Sequence, residues 1–183
     1  MLGRSVGTFT IQNLQKQEWL SSVVLEESVY GEMVYRRPCI STDYNEQLIE
    51  EKRTHWELFD FRTYHGVRNV GGKEWLSCGI INWLDGEDTA PVHTFVGIAR
   101  HPLNDESMQW TIKETDEYYS IYNGFEKAWL CPGQQPETQA TVSYGDPAQD
   151  THLRWQLDKV AGPNMGKRTS LNYMDNGMLH EIS

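Results

Sequence analysis

The chain has 183 residues, including seven Trp and nine Tyr, and its formal net charge at pH 7 is -10. This length suits one domain, residues 1–183, with a sizeable core. The acidity argues against general nucleic-acid binding, which needs a basic surface, and against attraction to anionic membranes. We therefore expect no nucleic-acid partner and no membrane insertion.

The cysteines and the N-terminal residues indicate the cellular compartment of the protein. Cys39, Cys78 and Cys131 are odd in number and widely spaced, which gives neither a disulfide framework nor a zinc pattern. The first residues contain no apolar run typical of a signal peptide, and no run reaches membrane-spanning length. These features predict a cytoplasmic location.

In chain order, short β-branched and aromatic runs between turn residues predict about ten strands and one helix. The helix is expected over 44–53, with Asp43 as its cap. A long hairpin is expected over 54–84. The other predicted strands are 7–11, 19–27, 29–36, 92–100, 108–113, 117–123, 125–130, 139–144, 152–160, 167–173 and 178–182. We expect no internal repeat.

The hairpin over 54–84 organises the rest of the prediction. Its first arm is expected to run unbroken to a turn at 69–72, centred between Val70 and Gly71. Since side chains alternate along a strand, Asp60, Arg62 and Tyr64 share one face with apolar residues. Neither face is cleanly polar, which indicates a closed barrel with a partly polar lumen or a sandwich whose outer face is covered. Alternatively, Asp60 and Arg62 form a same-face ion pair on the surface.

A family resemblance supports the barrel interpretation. The opening Gly7-Thr8-Phe9, the meander of strands and the late basic residue Arg168 or Lys167 resemble the calycins, the lipocalin-like barrels. By length and late strand, the chain also resembles slightly the lipocalin-like lyases that attach bilins to light-harvesting proteins. The resemblance implies an all-β, up-and-down antiparallel barrel of about 8–10 strands with one short helix. It also implies a cavity for an apolar or amphipathic small molecule.

Three functions remain open. The first is binding of such a ligand by Arg62, Tyr64 and a set of apolar side chains. These apolar side chains are Trp56, Leu58, Trp75, Trp83, Trp110, Tyr119 and Trp129. The second is a cofactor-free lyase, isomerase or cyclase, with Asp60 or His93 as proton acceptor and Tyr64 or Arg62 stabilising negative charge. The third is an interaction protein whose outer aromatic face is buried in a homo-oligomer or against another partner. No cofactor and no metal is expected, since the sequence lacks the corresponding motifs.

Overall fold

The structure, a computed structural model, describes residues 3–22, 27–30, 33–36, 39–41, 46–78, 92–96, 101–133 and 140–160. The described residues are all-β apart from one short helix, α1 (Glu46–Glu50), and two single 3-10 turns, Glu106–Met108 and Thr151–Leu153. The strands are β1 (Arg4–Asn13), β2 (Trp19–Ser21), β3 (Glu27–Tyr30), β4 (Met33–Arg36), β5 (Cys39–Ser41), β6 (His55–Asp60), β7 (His65–Asn69), β8 (Trp75–Cys78), β9 (Val92–Val96), β10 (Trp110–Glu114), β11 (Tyr119–Asn123), β12 (Ala128–Cys131), β13 (Thr141–Ser143) and β14 (Trp155–Lys159).

Six strands close into a barrel. β1 pairs with β6, β6 with β7, β7 with β10, β10 with β11, β11 with β14, and β14 returns to β1, every pair antiparallel. Two joints are single residue pairs, His65 with Trp110 and Tyr119 with Trp155. Closure gives every barrel strand a partner on each side. The predicted closed antiparallel barrel is thus confirmed, but it has six strands rather than 8–10, and hairpins inserted between barrel strands replace the predicted continuous meander.

Three hairpins extend from this barrel. β2 with β5, β8 with β9 and β12 with β13 each follow one barrel strand and precede the next. The order barrel strand, hairpin, barrel strand therefore occurs three times. An additional hairpin, β3 with β4, is inserted in the first unit and joins the sheet through β9.

The three units share a sequence pattern, so the expectation of no internal repeat is wrong. Residues 10–21 read TIQNLQKQEWLS, residues 66–77 read GVRNVGGKEWLS and residues 120–131 read SIYNGFEKAWLC. An Asn, and a Trp-Leu pair six residues after it, are common to all three. Few other positions are identical, which is why reading the chain strand by strand misses the repeat.

The shared Asn residues join each unit to the preceding one. Asn69 is fully buried, and its Nδ2 donates to the backbone carbonyls of Arg53 at 2.8 Å and His55 at 3.3 Å. Its Oδ1 accepts from the backbone N–H of Gly72 at 2.9 Å, which fixes the turn before β8. The equivalent Asn13 and Asn123 repeat this pattern with the carbonyls of His152 and Arg154, and of Ser107 and Gln109. Because these buried groups satisfy one another, the three units form one ring.

Large apolar side chains fill the barrel interior. Trp56, Trp110 and Trp155 have no exposed surface. Each indole Nε1–H donates to the backbone carbonyl of the Leu in one of the three Trp-Leu pairs, at 2.7 to 3.0 Å. These Leu residues are Leu20, Leu76 and Leu130. The Trp and Leu side chains belong to one continuous hydrophobic core. The expected lumen for a ligand is therefore a packed core stabilised by aromatic burial.

The long first arm of the predicted hairpin is also wrong. β6 ends at Asp60, and the chain turns over residues 61–64 before β7 begins. The carboxylate of Asp60 accepts from the backbone N–H of Arg62 at 2.6 Å, and Phe61 N–H donates to the carbonyl of Tyr64 at 3.0 Å. This Asp-centred turn interrupts an aromatic run that otherwise favours a single strand. The next turn is centred one residue later than predicted, because Arg68 pairs with Trp75.

Of the other predicted elements, some are present and some lie outside the described residues. The predicted hairpin over 108–123 is present as β10 and β11, with Glu114 opposite Tyr119. α1 is shorter than the predicted helix, and Asp43 lies outside the described residues. So do the predicted strands 167–173 and 178–182, together with Lys167 and Arg168. Within the described ranges, no helix is long and apolar enough to cross a membrane.

Candidate binding surface on the outer face

The four predicted catalytic residues lie in different settings. Asp60 is half-buried and pairs across strands with Arg4 and His65, whereas the backbone of His93 lies opposite Ser77 in another strand pair. Arg62 is exposed in the turn after β6. Tyr64 stacks on Phe61 with ring centroids 5.1 Å apart, and burial raises its pKa. The structure places the two proton-acceptor candidates in separate strand pairs, and their catalytic roles stay predictions.

The predicted ligand-binding residues divide between interior and surface. Trp56, Leu58 and Trp110 belong to the core, and Trp83 lies outside the described residues. Tyr119 is half-buried, and its hydroxyl donates to Glu114 at 2.8 Å. Trp75 and Trp129 belong to the second and third of the repeated Trp-Leu pairs. Because each adjacent Leu points into the core, each of these Trp side chains lies on the outer face.

Each outer Trp belongs to a row of residues that pair across four strands. The rows follow from the register of the strand pairs, and cross-strand neighbours share a face. The rows are Gln156–Gln12–Trp19–Ser41, Glu57–Arg68–Trp75–Phe95 and Thr111–Tyr122–Trp129–Ser143. We call them the Trp19, Trp75 and Trp129 rows.

The Trp129 row presents two half-buried aromatic rings to solvent. Tyr122 and Trp129 have ring centroids 4.8 Å apart and are tilted by 58°. The ammonium of the exposed Lys113 lies 4.8 Å from the Trp129 ring centroid and 5.6 Å from that of Tyr122. Half-buried Thr111 and Ser143 carry hydroxyls at the two ends of the row. The row therefore combines apolar faces, hydroxyls and a mobile cation over about 14 Å of sheet.

The Trp75 row is more densely packed. Arg68 donates to Glu57 at 2.8 Å, and its guanidinium lies 5.1 Å from the Phe59 centroid and 5.6 Å from the Trp75 centroid. Edge-on contact with His101 also covers Trp75, whose side chain is only 9% exposed. Burial and the adjacent Arg68 lower the pKa of His101. The charges in this row are paired and its indole is covered.

The Trp19 row is polar and anionic. Trp19 is half-buried beside Gln12, with which it pairs. The side-chain amide of Gln156 donates to both carboxylate oxygens of Asp158 at 3.0 Å. This row has one aromatic ring among amides and a carboxylate.

Sequence reasoning missed Lys113, Tyr122, Thr111 and Ser143. The signal that could have found them is the repeat itself, because superposing the three units aligns Trp129 with Trp19 and Trp75. The Asn and Leu that are identical in all units are buried and stabilise the fold, whereas the positions that differ between units distinguish the rows chemically. Among the described residues, no group of three His, Cys, Asp or Glu side chains is placed to hold a metal ion.

The chain was compared with known proteins. No protein-family model and no curated protein sequence matches it. Solved structures do match. A designed three-fold symmetric protein, ThreeFoil, has a TM-score of 0.61 at 12% identity, covering 82% of this chain and 97% of that chain. A ricin B-like lectin of Macrolepiota procera, in complex with lactose, has a TM-score of 0.60 at 12% identity, covering 87% and 100%. SeviL bound to asialo-GM1 saccharide has a TM-score of 0.53 at 15% identity, covering 88% and 100%.

These similarities establish a β-trefoil fold, in agreement with the six-stranded barrel and its three hairpins. The resemblance to calycins and to bilin lyases is therefore wrong. The predicted apolar or amphipathic ligand is also wrong, since structural neighbours include lectins with bound saccharides and the barrel interior is filled. The lyase, isomerase and cyclase alternative depended on the same cavity and is withdrawn with it.

Proposed function

We propose that the protein binds saccharides at the Trp129 row. The observation that carries the proposal is the pair of half-buried rings, Tyr122 and Trp129, flanked on the same face by the hydroxyls of Thr111 and Ser143. A pyranose ring has an apolar C–H face and a rim of hydroxyls. The aromatic faces suit the first, and hydroxyl and ammonium groups suit the second.

The Trp129 row is favoured over the other two because of accessibility and chemistry. Trp75 is covered by Arg68 and His101, so that a ligand would first have to displace them. The Trp19 row has only one ring, beside Gln12. Lys113 covers the Trp129 ring only through a cation–π contact from an exposed, flexible side chain, which costs little to move.

The structural neighbours support a saccharide as the ligand class. The Macrolepiota procera lectin was solved with lactose and SeviL with the asialo-GM1 saccharide. A shared fold does not by itself transfer function, so the proposal depends on the Trp129 row of this chain. Lactose is the first ligand to test.

A glycan array followed by isothermal titration calorimetry with lactose and the best array ligand tests the proposal. We expect saccharide binding in the wild type and a loss of at least about tenfold in affinity for Trp129→Ala. Trp19→Ala is the matched control, because it removes the equivalent ring from the first unit. It should retain the wild-type affinity within about twofold, which is a difference in binding free energy of about 0.4 kcal/mol.

Circular dichroism of both variants separates loss of binding from loss of fold. Absence of saccharide binding in the folded wild type would overturn the proposal. So would equal affinities for the wild type and a folded Trp129→Ala variant.

A further inference from the structure

The three rows differ in charge at one equivalent position. Three residues after the core Trp of each unit stand Asp158, Phe59 and Lys113, next to the Trp19, Trp75 and Trp129 rows respectively. The fold requires no particular charge there, since the same backbone position carries an acid, an apolar ring and a base. This position can therefore determine what each row binds.

Lys113 provides a cation that is available to a ligand. Its ammonium lies over the Trp129 and Tyr122 rings, and the side chain is exposed to solvent. In the Trp75 row, by contrast, Arg68 is 2.8 Å from Glu57, and Glu57 accepts a second bond from Ser5 at 3.0 Å. That cation is already paired.

The carboxylate closest in sequence does not compete for Lys113. Glu114 follows Lys113 on β10, so its side chain points to the opposite face of the strand. There it accepts a hydrogen bond from the Tyr119 hydroxyl at 2.8 Å. An anionic group brought onto the rings would therefore meet Lys113 with no intervening carboxylate from its own strand.

We propose that the Trp129 row selects acidic saccharides, with Lys113 bound to the carboxylate while the sugar ring stacks on Trp129 and Tyr122. This inference rests on the proposed function and specifies its ligand class. An ammonium–carboxylate hydrogen bond is stronger than its neutral counterpart, and it is strengthened beside aromatic rings that exclude water. The chain as a whole is acidic, with a net charge of -10, so selectivity for an acid has to come from this local group.

The test uses methyl galactoside and methyl galacturonide, which differ only at C6, a primary alcohol in the first and a carboxylate in the second. Calorimetry should give the wild type about tenfold higher affinity for the galacturonide. Lys113→Gln should remove that preference and keep galactoside affinity within about twofold. Lys127→Gln, which removes an exposed cation from the turn before β12, is the matched control and should retain the preference. The preference should also decrease as salt is raised, because ions screen the exposed pair.

The outcomes separate the two proposals. Equal affinity for both sugars in the wild type, or an undiminished preference in Lys113→Gln, would refute selection of acids and leave saccharide binding standing. If neither sugar binds and the array is blank, the proposed function itself fails and the acid preference fails with it. A preference lost equally in Lys113→Gln and Lys127→Gln would show a general charge effect and would also overturn the assignment to Lys113.

Discussion

The side-chain amide of Asn13 donates a 2.8 Å hydrogen bond to the backbone carbonyl of His152, 139 residues further along the chain. The same amide reaches the carbonyl of Arg154 at 3.2 Å, so the first barrel strand is joined to the segment that leads into the last. Asn69 and Asn123 make the equivalent bonds between consecutive units. Each Asn therefore adds side-chain hydrogen bonds at one joint of the ring that the strand pairs close.

Asn69→Ala should destabilise the protein by about 1–3 kcal/mol. The Gly72 N–H loses its acceptor, and the carbonyls of Arg53 and His55 each lose one of two donors, since each keeps a backbone N–H. Urea unfolding followed by circular dichroism measures the change in free energy of unfolding. Asn104→Ala, at an exposed position, should change it by less than about 0.5 kcal/mol. Equal effects of the two substitutions would contradict the role assigned to Asn69.

The inner and outer Trp residues should respond differently to the same substitution. Trp110→Phe removes a fully buried indole and its hydrogen bond to the Leu76 carbonyl, and should cost about 2–4 kcal/mol. Trp129→Phe replaces a half-buried ring on the outer face, and should cost less than about 1 kcal/mol. Thermal and urea unfolding of the two variants gives the comparison, and a larger cost at Trp129 would be inconsistent with the packed barrel interior.

His65 should make the protein sensitive to acid. Burial lowers the pKa of His65, although the nearby Asp60 acts to raise it. Below the unfolded pKa of about 6.5, the unfolded chain takes up a proton that the folded protein does not. Stability from this group is thus complete above pH 6.5 and is lost as pH falls towards the lower folded pKa.

The equivalent residues in the other units are Phe9 and Tyr119, which indicates that an aromatic ring fits at this position. The free energy of unfolding should decrease from pH 7 to pH 5 in both proteins. The decrease should be smaller in His65→Phe than in the wild type, and the two decreases should differ by about 1 kcal/mol. A slope unchanged in His65→Phe would contradict the prediction.

The thiols of Cys78 and Cys131 should be unreactive in the folded protein. Burial raises the pKa of both, that of Cys131 to about 11. In a Cys39→Ser background, reaction with a disulfide reagent at pH 8 should be about 100-fold slower in the folded than in the unfolded protein. The free energy of unfolding should also decrease above pH 9, because the unfolded thiols ionise first. Rapid labelling of the folded variant would contradict the raised pKa of the buried Cys78 and the half-buried Cys131.

Local signals predicted the strands better than their connections. The Glu114-Thr115-Asp116 turn predicted the β10–β11 hairpin, since a polar turn between two apolar runs leaves little choice. The run through Phe59 and Phe61 was interpreted as one strand because its aromatic residues outweighed the turn signal of Asp60. Whether the side chain of Asp60 accepts from Arg62 depends on β7 returning to pair with β6, a contact that periodicity does not contain.

The sequence alone determined that this is an all-β chain, and it contained the three Asn and Trp-Leu copies that specify three-fold architecture. Only the tertiary structure decided that Trp56, Trp110 and Trp155 face inwards whereas Trp19, Trp75 and Trp129 face outwards. A shift of one residue in strand register moves every side chain to the other face. That register is set by pairing between strands distant in sequence, such as β1 and β14, where Ile11 lies opposite Leu157, and no local pattern records it.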